Sequence, residues 1–204
     1  MNPKAELATA AQQDMIERLV RSELRALQAY HVPNPGQLIK LDAMENPYSW
    51  PEALRLAWLQ ELGTVSLNRY PDASAAALKA QLRTTFALPA GMDLLLGNGS
   101  DELIQIMMMA VAAPGRVVLS VGPTFSMYRM IAAFVGLTYV EVPLKADFSL
   151  DAAALRQAYA RHQPALVFFS YPNNPTGNLF DAEVMADLIA ACPGLVVVDE
   201  AYTP

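Results

Sequence analysis

From residue 93 onward, short apolar runs alternate with segments of helical periodicity, and this alternation constrains the fold more than any other feature of the chain. The runs are Asp93–Leu96, Val117–Val121, Thr138–Val142, Ala165–Ser170 and Leu195–Asp199. Between them, Ser100–Ala112, Phe125–Val135, Asp151–Ala160 and Asp181–Ala191 read as helices. Such alternation builds parallel sheets, because parallel neighbours need a crossover long enough to hold a helix. The runs are continuously apolar, as strands are when helices cover both faces. The expected fold class is α/β, a doubly wound, mostly parallel sheet.

Upstream the pattern differs. Ile16, Leu19, Val20, Leu24 and Leu27 recur at steps that predict a helix over Asp14–Gln28. Pro33, Pro35, Gly36, Pro47 and Pro51 then break Val32–Pro51 into turns and extended chain, leaving Leu38–Leu41 for a short strand. Further helices are expected over Pro51–Leu62, with proline near the first turn, and over Ser74–Phe86. The expected organisation is residues 1–50 as an N-terminal helix and arm belonging to a small domain, and residues 51–204 as a large domain, incomplete at its C-terminus.

Hydrophobic residues make up 53% of the 204 and charged residues 17%, enough apolar surface to offset the entropy of ordering the chain. The net charge is −6, and Arg18, Arg21 and Arg25 share a helix with Glu17 and Glu23, which argues against nucleic acid as a partner. No apolar stretch approaches the roughly 20 residues of a membrane span. The first 27 residues lack the apolar core of a secretory signal, so a cytoplasmic address is expected and no membrane partner. The single Cys192 forms no internal disulfide, and His31 and His162 offer no ligand set at metal spacing.

Doubly wound sheets bind ligands beyond the carboxyl ends of their strands, and the residues there are unusual. Gly97-Asn98-Gly99-Ser100-Asp101-Glu102 leads into a helix, either a phosphate cradle at its N-terminus or a plain turn capped by Ser100. It lacks the third glycine of a dinucleotide fingerprint, which falls at Glu102. Phe125, after the next strand, either stacks on a planar ring or packs in the core. Ser170-Tyr171-Pro172-Asn173-Asn174-Pro175-Thr176-Gly177 holds two amides that donate to a ligand oxygen or bond their own turn. Asp199 ends an apolar strand, and a buried carboxylate there needs a cationic or protonated partner. A phosphate cradle, an aromatic face, an amide for an oxygen and a carboxylate for a protonated nitrogen together describe pyridoxal 5′-phosphate.

On these motifs the sequence resembles the fold-type I pyridoxal-phosphate aminotransferases, and among them the histidinol-phosphate aminotransferases, from about Leu27 to the last residue. Asn173-Asn174-Pro175-Thr176-Gly177 matches the N-P-T-G turn, and Asp199-Glu200-Ala201-Tyr202 the D-x-A-Y motif. The resemblance implies that Asn174 and Tyr202 approach the cofactor's 3′-oxygen and that Asp199 pairs with the pyridine nitrogen. It implies that Gly99, Ser100 and Asp101 supply the phosphate loop and that Phe125 stacks on the ring. Leu41-Asp42-Ala43-Met44-Glu45-Asn46-Pro47 is close to L-x-x-N-E-N-P, and Arg69-Tyr70-Pro71-Asp72 matches R-Y-P-D, whose tyrosine reaches the neighbouring subunit's cofactor phosphate. Tyr70 thus implies a homodimer, and Tyr30 and Asn46 are implied near the substrate.

Three residues depart from the pattern: Met44 for an asparagine, Phe125 for a tyrosine or tryptophan, and Ala29 for a proline. The family's cofactor-bearing lysine lies downstream of D-x-A-Y, and Lys4, Lys40, Lys79 and Lys145 match none of its surroundings. The implied activity is transamination between histidinol phosphate and 2-oxoglutarate in histidine biosynthesis, with this chain as the enzyme's N-terminal portion. Related aromatic aminotransferases or threonine-phosphate decarboxylases share these motifs. A nucleotide-binding α/β enzyme explains the sheet but leaves Asn174 and Asp199 without a role, and a cofactor-binding or dimerisation fragment is the reading if the polypeptide ends at Pro204.

Overall fold

The computed structural model describes residues 12–27, 34, 36–41 and 45–203. Contacts within the chain gather it into two compact units, residues 1–28 with 95–204, and residues 29–94.

The first unit holds a four-stranded parallel sheet. Its strands are β1 (Val117–Gly122), β2 (Thr138–Pro143), β3 (Leu166–Ser170) and β4 (Leu195–Asp199), in the order β2-β1-β3-β4. Its helices are α1 (residues 12–19), α2 (Ser22–Arg25), α5 (Gly99–Val111), α6 (Met127–Val135), α7 (Ala152–His162) and α8 (Ala182–Ala191). The chain leaves β1 toward β2 on one side and returns to β3 on the other, so the order reverses between β1 and β3. Strand residues alternate between faces, and two separate cores result. Leu119, Val121, Val167 and Phe169 pack with Leu155 and Tyr159 of α7 and Met185 and Leu188 of α8. Val118, Leu166 and Phe168 pack with Ile104 and Met108 of α5 and Tyr128, Ile131 and Ala132 of α6. Helices on both faces of a parallel sheet are the doubly wound arrangement. Each buried Leu or Phe on these strands contributes about 1.5–3 kcal/mol.

Aspartates start the two helices on one face. Asp151 accepts the Ala154 N–H at 2.9 Å, and Asp181 accepts those of Glu183 and Val184 at 3.0 and 2.9 Å. They satisfy first-turn donors that the helix leaves orphaned.

The second unit contains α3 (Glu52–Gly63) and α4 (Ala76–Thr85), neither of which has a buried residue. Trp50 and Trp58 meet edge to face at 5.7 Å. Asp72, of the R-Y-P-D motif, accepts the Ser74 N–H at 2.9 Å and the Ala76 N–H at 3.2 Å, tying down the entry to α4. These bonds, with the Ser74 hydroxyl's as the largest, hold its carboxyl below the usual range.

Three expectations are corrected. Asp93–Leu96 is not a strand: the Asp93 carboxylate accepts the Leu94 N–H and the Arg83 guanidinium, each at 2.8 Å, and among the described residues the segment pairs with no strand. Leu38–Leu41 is not a strand either: Leu38, Ile39 and Leu41 are 78%, 86% and 84% exposed, and among the described residues no strand pairs with their backbone. The helix predicted over Asp14–Gln28 is broken at Val20 and Arg21. Arg21 takes extended geometry (ψ 139°), and its guanidinium donates to the carbonyls of Ala133 and Phe134 at the C-terminus of α6. A cation on a helix's last carbonyls is favourable, and that tertiary contact overrides the local periodicity. Among the described residues no helix is long and apolar enough to cross a membrane.

The turn into β4 has little room. A Cβ on Gly194 would sit 2.2 Å from the Pro164 carbonyl oxygen and 2.7 Å from that of Ala165, both backbone atoms. Gly194→Ala is therefore expected to destabilise the fold by about 1–3 kcal/mol, read from urea denaturation.

Candidate active site

The carboxyl ends of β1, β3 and β4 bring the motif residues into one neighbourhood. β3 and β4 end level, with Ser170 opposite Asp199, and the Tyr171 N–H donates to the Asp199 carbonyl at 2.8 Å.

Asp199 is half-buried, and among the described residues it forms no ion pair. One carboxylate oxygen accepts the Tyr128 hydroxyl at 2.7 Å, and the other accepts the Ala201 N–H at 3.2 Å. Tyr128 is fully buried, stacked on Phe168 at 4.7 Å and edge to face with Phe125 at 5.5 Å. Burial, reinforced by the Asp199 charge, pushes its phenol far above the ordinary tyrosine value, so it stays a donor at every working pH. The aromatic packing fixes the ring, and the ring fixes the carboxylate. Tyr128 was not singled out from sequence. The signal lay in its spacing, one helical turn beyond Phe125.

Phe125 precedes α6 rather than opening it as predicted, because α6 begins at Met127. It is half-buried, so its ring both packs against Tyr128 and keeps part of its surface open. Asn174 is half-buried too: its N–H donates to the Ser170 hydroxyl at 3.3 Å, while its side-chain amide has no hydrogen-bond partner among the described residues. Tyr202, in the turn after β4, is 38% exposed.

At the start of α5, Ser100 does not cap the helix. Asn98 occupies the cap position without a side-chain bond, and Glu102 reaches back to accept the Asn98 N–H. Gly99 turns the chain at φ +81°, a conformation costly for any residue with a Cβ. Ser100 and Asp101 follow in the first turn, where backbone N–H groups point out of the helix end and suit an anion. Burial, and then the Asp199 charge, raises the Asp101 carboxyl, so the two acids feel one another across the site. A cleft of about 430 Å³ joins Ser100 to Asp199, walled by Leu103, Ile104, Met107 and Val197. A larger open depression of about 680 Å³, lined by Arg116, His162 and Leu195, lies at the opposite edge of the sheet, away from the ends where such folds bind ligands.

Of the remaining site residues, Tyr70 is 99% exposed, and Asn46 accepts the Tyr48 N–H at 3.0 Å in a local turn. Both belong to the second unit. Tyr30 lies outside the described residues.

An apolar-walled cleft at the carboxyl edge, a helix N-terminus, an uncommitted amide and a carboxylate without a cation fit an aromatic phosphate carrying a protonated ring nitrogen. The model of the family described as aminotransferase class I and II matches residues 36–203, and the chain belongs to that family. Its relatives narrow the comparison. Histidinol-phosphate aminotransferase of Thiocapsa roseopersicina is 57% identical over 187 residues, covering 91% of this chain and 99% of that protein. Histidinol-phosphate aminotransferase 2 of Nitrosococcus oceani is 55% identical over 190 residues, 93% of this chain but 53% of that one. The crystal structure of histidinol-phosphate aminotransferase from Sinorhizobium meliloti in complex with pyridoxal 5′-phosphate superposes with a TM-score of 0.74 at 25% identity, over 90% of this chain and 51% of that one. The chain thus spans about half the length of the latter two proteins.

The Tyr128–Asp199 bond is separable from the packing around it. Tyr128→Phe keeps the ring and is expected to cost about 1.5–3 kcal/mol in urea denaturation, the range for a hydrogen bond to a charged group. In an Asp199→Asn background the same substitution is expected to cost less than half as much, since the charge it served is gone.

Proposed function

We propose that the chain is the N-terminal portion of a pyridoxal-phosphate-dependent aminotransferase that exchanges the amino group of L-histidinol phosphate with 2-oxoglutarate, in the cytoplasmic synthesis of histidine. The observation that carries this reading is Asp199: a carboxylate at the carboxyl end of β4, held by a buried tyrosine and lacking any cation among the described residues. Such a group calls for a ligand that brings its own positive charge.

In this reading the N–H groups after Gly99 hold the cofactor phosphate at the start of α5, and the Phe125 ring covers one face of the pyridine. Asn174 and Tyr202 donate to the 3′-oxygen. Asp199 keeps the proton on the ring nitrogen, with Tyr128 fixing the direction of its charge. When bound, the cofactor supplies the electron sink that makes the donor's carbon acidic. The lysine that moves the proton is assigned, by family resemblance, to the part of the whole protein downstream of Tyr202. Tyr30 and Asn46 belong to the substrate side. Tyr70 extends to the cofactor phosphate of a second subunit, its near-complete exposure leaving it free to do so, and the assembly is a homodimer. Residues 1–50 are proposed as a small-domain arm and residues 51–204 as part of the large cofactor domain in that assembly.

The test uses the whole protein. It is expected to take up pyridoxal 5′-phosphate with a visible absorption band and to transaminate histidinol phosphate faster than phenylalanine or threonine phosphate. A protein that gains no absorbance with the cofactor would refute the proposal. Asp199→Asn is expected to lower turnover by about two or more orders of magnitude while costing no more stability than Tyr128→Phe, whereas a purely structural carboxylate would cost about 3–5 kcal/mol of stability and leave the turnover of the folded protein near normal. Tyr70→Phe is expected to weaken cofactor binding about tenfold without changing its band, the loss of one hydrogen bond to a charged group.

A further inference from the structure

The turn after β3 holds a second asparagine that the proposed function does not use. Asn173 is 1% exposed. Its amide nitrogen donates to the Pro123 carbonyl at 3.0 Å and to the Thr176 hydroxyl at 2.6 Å, and its oxygen accepts the Thr124 hydroxyl at 2.9 Å. Its backbone is engaged within the turn, the N–H to the Asn178 carbonyl at 3.0 Å and the carbonyl from the Gly177 N–H at 2.7 Å. Both side-chain donors and the acceptor are used, so no donor is left for a ligand. Its neighbour Asn174 is the reverse case, with a side-chain amide that no described residue engages.

Where these bonds run is the informative point. Pairing between β1 and β3 ends at Ser120 opposite Phe168, short of the last residues of both strands. Beyond it the two strands are not paired, at the reversal of strand order where folds of this kind carry their ligand crevice. The loop on one side carries Phe125, and the turn on the other carries Asn174. Two of the three Asn173 side-chain bonds cross from the turn to that loop, at Pro123 and Thr124. Among the described residues no other hydrogen bond joins residues 123–126 to residues 171–178.

We infer that Asn173 is a positioning residue that sets the separation between the Phe125 ring and the Asn174 amide across this crevice, so that the slot for the pyridine ring exists before the cofactor enters. The inference rests on the cofactor reading above. A slot held open in advance spares the ordering cost that binding otherwise meets. The buried amide suits the task because it is satisfied in three directions at once, and a sideways shift of either loop breaks at least one bond.

The test measures the dissociation constant of pyridoxal 5′-phosphate in the whole protein, by visible absorbance. Asn173→Asp preserves shape but sets an oxygen against the Pro123 carbonyl, and Thr124→Val removes the other crossing donor. The dissociation constant is expected to rise about tenfold for Asn173→Asp and about threefold to fivefold for Thr124→Val. In an Asn174→Ala background the Thr124→Val effect is expected to shrink to less than about twofold, because the group being positioned is absent. A residue that only stabilised the fold would lower the melting temperature and leave the affinity of the folded protein unchanged. Unchanged affinity, or losses that persist in full without Asn174, would overturn the inference. Should Asn173→Asp not fold, the Thr124→Val pair decides on the same criteria. A wild-type protein that does not bind the cofactor overturns the cofactor reading together with this inference; a wild-type protein that binds it while the losses add overturns this inference alone.

Discussion

The structure depends on two strands buried on both faces. Every residue of β1 and β3 is shielded, and the sheet they centre separates one core under α7 and α8 from another under α5 and α6. A parallel ladder buried in this way has its backbone groups paired and its side chains locked from two directions. Its carboxyl edge is correspondingly rigid, which is what a site assembled from strand ends requires. The same sheet also explains the crevice: β1 and β3 are neighbours that the chain visits from opposite sides, and their pairing gives out before the strands end.

On that edge the polar groups divide into those that are satisfied and those that are left open. Asn173 and Tyr128 are buried and fully committed, one to the loops on either side of the crevice and the other to the Asp199 carboxylate. Among the described residues the Asn174 side-chain amide and the first-turn N–H groups of α5 following Gly99 have no partner. Unpaired polar groups are costly inside a protein but cheap at the mouth of a cleft, where water or a ligand completes them. The arrangement puts fixed groups behind and open groups in front, the order in which a binding site gains precision.

Most of the doubly wound unit was legible because strand and helix periodicities differ and the aspartates and glycines at their ends act locally. β1 to β4 and α5 to α8 fall within two residues of the boundaries the sequence predicts, and Asp199, Asn174 and Phe125 stand at strand ends as expected. The misreadings share a cause. Asp93–Leu96 and Leu38–Leu41 have apolar composition suited to strands, yet a strand exists only where a neighbour offers its edge. The helix through Val20 and Arg21 has good periodicity, yet a guanidinium meeting the end of α6, 112 residues away, is worth more than an unbroken turn.

Composition, periodicity and the strand-end motifs by themselves determined the fold class, the positions of the sheet strands and the chemical character of the site. These are carried by residues near one another along the chain, and local spacing is what a sequence displays directly. Only the tertiary structure decided that Tyr128 rather than a cation holds Asp199, that Asn173 rather than the sheet bridges β1 and β3 at their ends, and that Arg21 leaves its helix to close another. Each of those depends on groups 50 to 112 residues apart meeting within about 3 Å. Hydrogen bonds are decided by tenths of an ångström and by angle, and sequence spacing carries no record of either.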